Sequence, residues 1–144
     1  INHSLALTSN GDVLSCGNNK FGQLGRETEG DRSLSFDKID DLSNIIRIEC
    51  GREHSLCIDI NGDLYVFGNN EGNRLGLGSK NKIERPTKYQ LPNIIDVSSG
   101  GYNVFVKTIS NEIFILKTAN ELDFTPIRVF ENNEDIWYTD RKSK

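Results

Sequence analysis

Short apolar runs separated by glycine and asparagine turns organise the chain from its first residues onward. Residues 54–59 and 64–67 are two such runs, rich in β-branched and aromatic side chains. Asn61-Gly62 between them is the strongest short-range signal for a two-residue type I′ hairpin. Residues 45–50 and 87–91 read as further strands. The runs are nearly continuous rather than alternating, which predicts sheets covered on both faces. No helical stripe is sustained between the turn signals, so helical repeats are excluded.

The pattern recurs. Residues 3–25 laid on residues 54–76 agree at eleven of 23 positions, including the histidine, Asn-Gly-Asp, Gly-Asn-Asn and a final Leu-Gly. Unrelated stretches of ordinary composition agree at about one or two, so the match marks an internal repeat. In a third copy Leu42, Asn44, Ile45, Ile46, Gly51 and Ile60 return as Leu91, Asn93, Ile94, Ile95, Gly100 and Ile109. That copy then decays: Asn61-Gly62-Asp63 becomes Ser110-Asn111-Glu112, and Lys117 stands where a glycine is expected. The units run over residues 1–42, 43–91 and 92–133. Pro126 echoes Pro86, and residues 134–144 are a tail or the start of a further strand, with a fourth unit opening at 136–138. Four short strands in each unit, stacked sheet on sheet, predict an all-β chain of about three four-stranded antiparallel blades of a β-propeller, open or partial.

Composition narrows what such a fold does. Of 144 residues, 35% are hydrophobic and 26% charged, which places the chain among globular proteins. A net charge of −4, with Arg141 to Lys144 as the only basic cluster, lacks the basic footprint of phosphate-backbone binding, and no direct nucleic-acid binding is expected. No apolar stretch is long enough for a membrane helix, and the N-terminus lacks a signal-peptide pattern. Cys16, Cys50 and Cys57 are an odd count, read as reduced thiols of an intracellular protein, cytoplasmic or nuclear. The Asn2-His3-Ser4 sequon matters only in a secreted protein. With no methionine and a start in mid-pattern, the chain reads as a piece of a longer protein, whose further blades come from the rest of that chain or from another subunit.

The chemistry-bearing motifs have plain structural readings. Cys50, His54 and Cys57 offer zinc-ligand types, but Cys50 aligns with Ser99 and Cys57 with Ala6 and Val106, as small core positions vary. Asp59 to Asp63 lacks the further ligands of a calcium loop. Gly78-Ser79-Lys80 lacks the residue order of a phosphate loop. Two histidines and no serine elbow give no catalytic constellation and no cofactor. The stretch 27–41, with six acids and Phe36, reads as a solvated loop followed by an outer strand.

Gly51-Arg52-Glu53-His54-Ser55, Asn61-Gly62, Phe67-Gly68 and Arg74-Leu75-Gly76 together resemble the regulator of chromosome condensation repeats, over residues 1 to 117. The resemblance implies a ring of seven blades, of which this chain supplies under three. The position before the terminal glycine, commonly tryptophan in that family, is Cys16 in one copy and Phe67 in the other, and Asn73 stands for Gly22.

In an antiparallel hairpin the start of the first strand and the end of the second share one end. That gathers Arg52, Glu53, His54, Asn69, Asn70, Glu71 and Arg74 on one face, with His3, Asn18, Asn19, Lys20 and Gln23 from the preceding unit and Tyr102 and Asn103 from the following one. The resemblance implies that such a face grips a small GTPase, with His54 and the neighbouring Glu53 and Glu71 as the match to the family's contact residues. The residues themselves predict that a histidine recurring once per repeat bonds adjacent backbone within its own blade. Three functions stay open: a module binding a protein partner through this face, a guanine-nucleotide exchange factor or a fragment of one, and a metal-dependent enzyme built on the cysteines and histidines.

Overall fold

The computed structural model describes residues 2–116 and the strand Ile127–Glu131. Pro126 and residues 134–144 lie outside the described residues. Three antiparallel sheets follow one another along the chain. The first holds β1 (His3–Leu7), β2 (Val13–Asn18) and β3 (Arg32–Lys38). The second holds β4 (Ile45–Cys50), β5 (His54–Asp59), β6 (Leu64–Asn69) and β7 (Lys82–Lys88) in sequential order. The third repeats that order with β8 (Ile94–Ser99), β9 (Val104–Thr108), β10 (Glu112–Ile115) and β11 (Ile127–Glu131). The chain is nearly all β, as its hydrophobic pattern predicts, with three strands in the first sheet and four in each of the others.

Three local expectations change. The turn at Asn61-Gly62 is not type I′. The Gly62 N–H donates to Asp59 O (3.0 Å) and the Asp59 N–H to Asp63 O (3.0 Å), and Gly62 at φ +81° is the left-handed residue while Asn61 is not. The loop is thus one residue longer, a tight turn followed by a single left-handed residue. In the decayed copy Asn111 takes that place at φ 61°, which is why the turn survives there without glycine. The strand expected at 87–91 lies earlier, at Lys82–Lys88. β7 is the outermost strand, and its register slips opposite residues 66–68, so Pro86 sits where no ladder bond is required. Finally, the acidic stretch 27–41 contains β3 itself, with the loop before it.

The runs at 54–59 and 64–67 are buried along almost their whole length, as sheets covered on both faces require, whereas the first strands of the second and third sheets are not. Ile45 and Ile94 are buried, yet Ile46 and Ile95 are exposed, because β4 and β8 each bulge by one residue there. The core is one contiguous cluster spanning all three sheets: Val13 and Ile39 from the first, Leu56, Leu64, Val66 and Phe67 from the second, Val97, Val104 and Val106 from the third. Each fully buried side chain of this size contributes about 1.5–3 kcal/mol relative to exposure.

Successive sheets are tied by the same contacts each time. The Ile45 N–H donates to Gly11 O and the Ile94 N–H to Gly62 O, both at 3.0 Å, so each hairpin tip anchors the first strand of the next sheet. The loop at residues 22–25 lies against the second sheet so closely that a Cβ on Gly25 would stand 2.8 Å from the Phe67 ring and 3.3 Å from Pro86. By register, Leu34 and Phe36 of β3 hold the places of Glu84 and Pro86, and they are 87% and 49% exposed.

Candidate functional site

The loops after β2 and β6 are built by asparagines before they present anything to solvent. Asn70 Nδ2 donates to Gly78 O (3.1 Å) and Lys80 O (2.7 Å), while its Oδ1 accepts the Leu75 N–H (2.8 Å). Asn19 does the same one unit earlier, with Arg26 O, Thr28 Oγ1 and the Leu24 N–H. Asn18 Oδ1 accepts from the Lys20 N–H and from Gln23 Nε2. Asn69 Oδ1 accepts the Glu71 N–H, and its Nδ2 donates to Glu53 Oε2 at 2.9 Å. The amide groups of these four residues are engaged in shaping the loops.

The two histidines join sheets to one another. His3 Nε2 lies 2.8 Å from Ser55 Oγ, and Ser55 Oγ donates its one proton to Gln23 O at 2.7 Å. The His3 bond therefore runs from an Nε2–H to the serine oxygen, which sets the tautomer. His54 Nε2 lies 2.5 Å from Ser99 Oγ in the third sheet, in space left by Gly51, where a Cβ would collide with the imidazole ring. The expected bond to backbone within the same blade is thus replaced by a bond to a hydroxyl of the next sheet, made by a ring at the first residue of its strand.

Burial lowers the pKa of His3 to about 4, partly offset by the His54 backbone. Burial, Arg74 and His3 lower that of His54 to about 3. Both rings are neutral at pH 7. His54 Nδ1 is buried without a hydrogen-bond partner among the described residues.

The exposed part of the face lies around these staples. Arg52 Nη1 donates to Tyr102 Oη (3.4 Å), and the Arg74 guanidinium lies 5.0 Å from the centroid of the Tyr102 ring, within cation–π range. Arg74 is buried and is held by Glu71 O and Gly101 O. Tyr102 is half exposed, and Lys20, Arg52 and Glu71 are exposed. Asn103 is half buried, its carbonyl accepting the Gly100 N–H. Lys20, Phe21, Arg52 and Glu53 line an open depression of about 320 Å³ together with Asn2, Asn18 and Gln23. Phe21 was not marked by the sequence, because Gly72 stands at its place in the second copy.

Among the described residues no group of three or more His, Cys, Asp or Glu is arranged to hold a metal ion. Cys57 is buried, and burial pushes its thiol well above the ordinary range. No helix among these residues is long and apolar enough to cross a membrane.

Sheet order, hairpin anchors and glycine loops define a segment of a β-propeller assembled from repeats of about fifty residues. The regulator of chromosome condensation (RCC1) repeat matches residues 10–58 and 61–106, and the chain belongs to that family. A second description of the repeat matches residues 45–73. Protein RCC2 homolog of Danio rerio is 44% identical over 83 residues, covering 57% of this chain and 17% of that protein. A probable E3 ubiquitin-protein ligase, HERC6 of Homo sapiens, is 36% identical over 118 residues, 78% of this chain and 11% of that one. The crystal structure of human WBSCR16 superposes with a TM-score of 0.76 at 26% identity, over 89% of this chain and 37% of that chain. The chain thus spans less than a fifth of these two curated relatives.

Proposed function

We propose that the chain is a protein-interaction module that binds a partner through the loops at the start of β5 and the end of β6, with Lys20, Arg52, Glu53, Glu71 and Tyr102 as its contacts. The observation supporting this reading is a division of labour: the loop amides and buried histidines are occupied within the chain, whereas Lys20, Arg52 and Glu71 carry exposed charged side chains, beside half-exposed Tyr102 and Glu53, whose carboxylate also takes the Asn69 amide. Tyrosine and arginine are the residue types that anchor protein interfaces. His3, His54, Asn18, Asn19, Asn69, Asn70, Gln23, Arg74 and Asn103 hold the rim in this reading. The repeating units are residues 1–42, 43–91 and 92–133, and free thiols at Cys16, Cys50 and Cys57 favour work inside the cell.

The test is partner capture by crosslinking in cells, compared between the wild type and Lys20→Glu combined with Arg52→Glu. Loss of the captured partner is expected; retention of every partner by the double variant sinks the proposal.

A second reading, guanine-nucleotide exchange, is favoured by one relative. An RCC1-like G exchanging factor-like protein of Homo sapiens is 34% identical over 91 residues, 60% of this chain and 20% of that protein. Release of fluorescent GDP from a panel of small GTPases separates the readings. No acceleration by the chain, or by the longer protein that contains it, removes exchange for the GTPases tested.

A further inference from the structure

The opposite face, formed by the hairpin tips, carries an apolar surface that neither reading uses. Ile46, Ile60, Ile95 and Ile109 are 59, 68, 49 and 68% exposed. They form two repeat-equivalent pairs, Ile46 with Ile95 and Ile60 with Ile109, and all four line one depression of about 260 Å³ with Gly62 and Asn93.

Two backbone devices put them there. Ile46 and Ile95 are the extra residues of the bulges in β4 and β8, and a bulge re-aims a side chain out of the sheet. Ile60 and Ile109 follow β5 and β9 at the first turn position, where their N–H groups donate to Asn44 O (2.9 Å) and Asn93 O (2.8 Å). The turn itself does not call for an apolar side chain. Ser9 holds the equivalent place in the first unit, inside the same Gly11-to-Thr8 hydrogen-bonded turn. Isoleucine at 60 and 109 therefore adds exposed apolar surface that the fold does not require.

We infer that this isoleucine quartet is a docking site for a short apolar segment of another protein, a neutral or basic peptide that inserts branched aliphatic or aromatic side chains into the depression. The size of the patch selects the occupant. Four side chains at half to two-thirds exposure make up a few hundred Å², the scale at which contiguous apolar surface marks an interaction site. That is well short of the roughly 800 Å² per partner that two globular copies need for a standard interface. Charge selects the sign. Among the described residues, Asp59 is the one ionisable residue lining the depression and no lysine or arginine lines it, so an acidic segment finds no counter-charge there.

The experiment selects short random peptides displayed on phage against the whole chain, then measures the enriched peptides by fluorescence anisotropy. Enrichment of peptides carrying paired aliphatic or aromatic residues without net negative charge is expected. Their affinity should fall at least about tenfold in Ile60→Ser combined with Ile109→Ser, the residue the first unit already uses, at unchanged melting temperature. Arg52→Glu on the far face should leave affinity unchanged, which keeps this test separate from that of the interaction module. Absence of enrichment overturns the inference, as does binding that survives the double serine variant. So does concentration-dependent dimerisation abolished by the same substitutions, because it assigns the patch to a second copy.

Discussion

His3 and His54 occupy one repeat position and do one job, yet with different partners. The hydroxyl that receives His3 is Ser55, at the start of β5, whereas His54 uses Ser99, at the end of β8. With folded pKa values near 4 and 3 against about 6.5 when unfolded, the folded chain binds fewer protons than the unfolded one between those limits. The histidine contribution is therefore fully present above about pH 6.5 and is lost as pH falls towards the folded values. Glu49, its carboxyl pushed up mainly by burial, acts in the opposite sense. Melting temperature should fall on acidification from pH 7 to pH 4, with a shallower slope in His54→Gln than in the wild type; parallel profiles would remove the histidines as the cause. Ser55→Ala strips a partner from both His3 and the Gln23 carbonyl in a buried place, and is expected to lower urea stability by about 1–3 kcal/mol.

At the scale of elements, the hairpin between β5 and β6 depends on one left-handed residue. The third copy shows what that place accepts, since Asn111 sits at φ 61° where Gly62 sits at φ +81°. Gly62→Asn should melt close to the wild type, and Gly62→Val should lose about 1–3 kcal/mol, because a β-branched side chain resists positive φ. Equal melting temperatures for the two variants would show that the turn adopts another conformation. Gly17 and Gly68, near the ends of β2 and β6, are also at positive φ and have a second reason besides. A Cβ on Gly68 would lie 2.6 Å from Glu53 O, and one on Gly17 2.6 Å from Asn2 O, so these glycines serve close approach at the neighbouring strand's start.

Across the whole molecule, each sheet offers one side to the glycine loop of the sheet before it. The second sheet receives residues 22–25 on Phe67 and Pro86, and β3 of the first sheet presents Leu34 and Phe36 at the corresponding register. Exposed apolar side chains on an outer strand are a route to association. The 144-residue chain should self-associate with rising concentration in light scattering, and Leu34→Thr with Phe36→Thr should reduce that association without lowering the melting temperature. A monodisperse wild type would show that this strand is not adhesive.

The repeat, the β class and the hairpins were legible along the chain. Each depends on local spacing: turn residues, strand period and the offset between copies state it directly. What the chain order could not state was which groups are spent. Asn19 and Asn70 close loops on carbonyls seven to ten residues away, and His3 meets a serine 52 residues on, so their availability is settled only when sheets stack. The exposed isoleucines were hidden for the same reason. Ile45-Ile46 and Ile94-Ile95 look alike within a strand, and only the bulge formed on pairing with β5 and β9 sends one of each pair inward and the other to solvent.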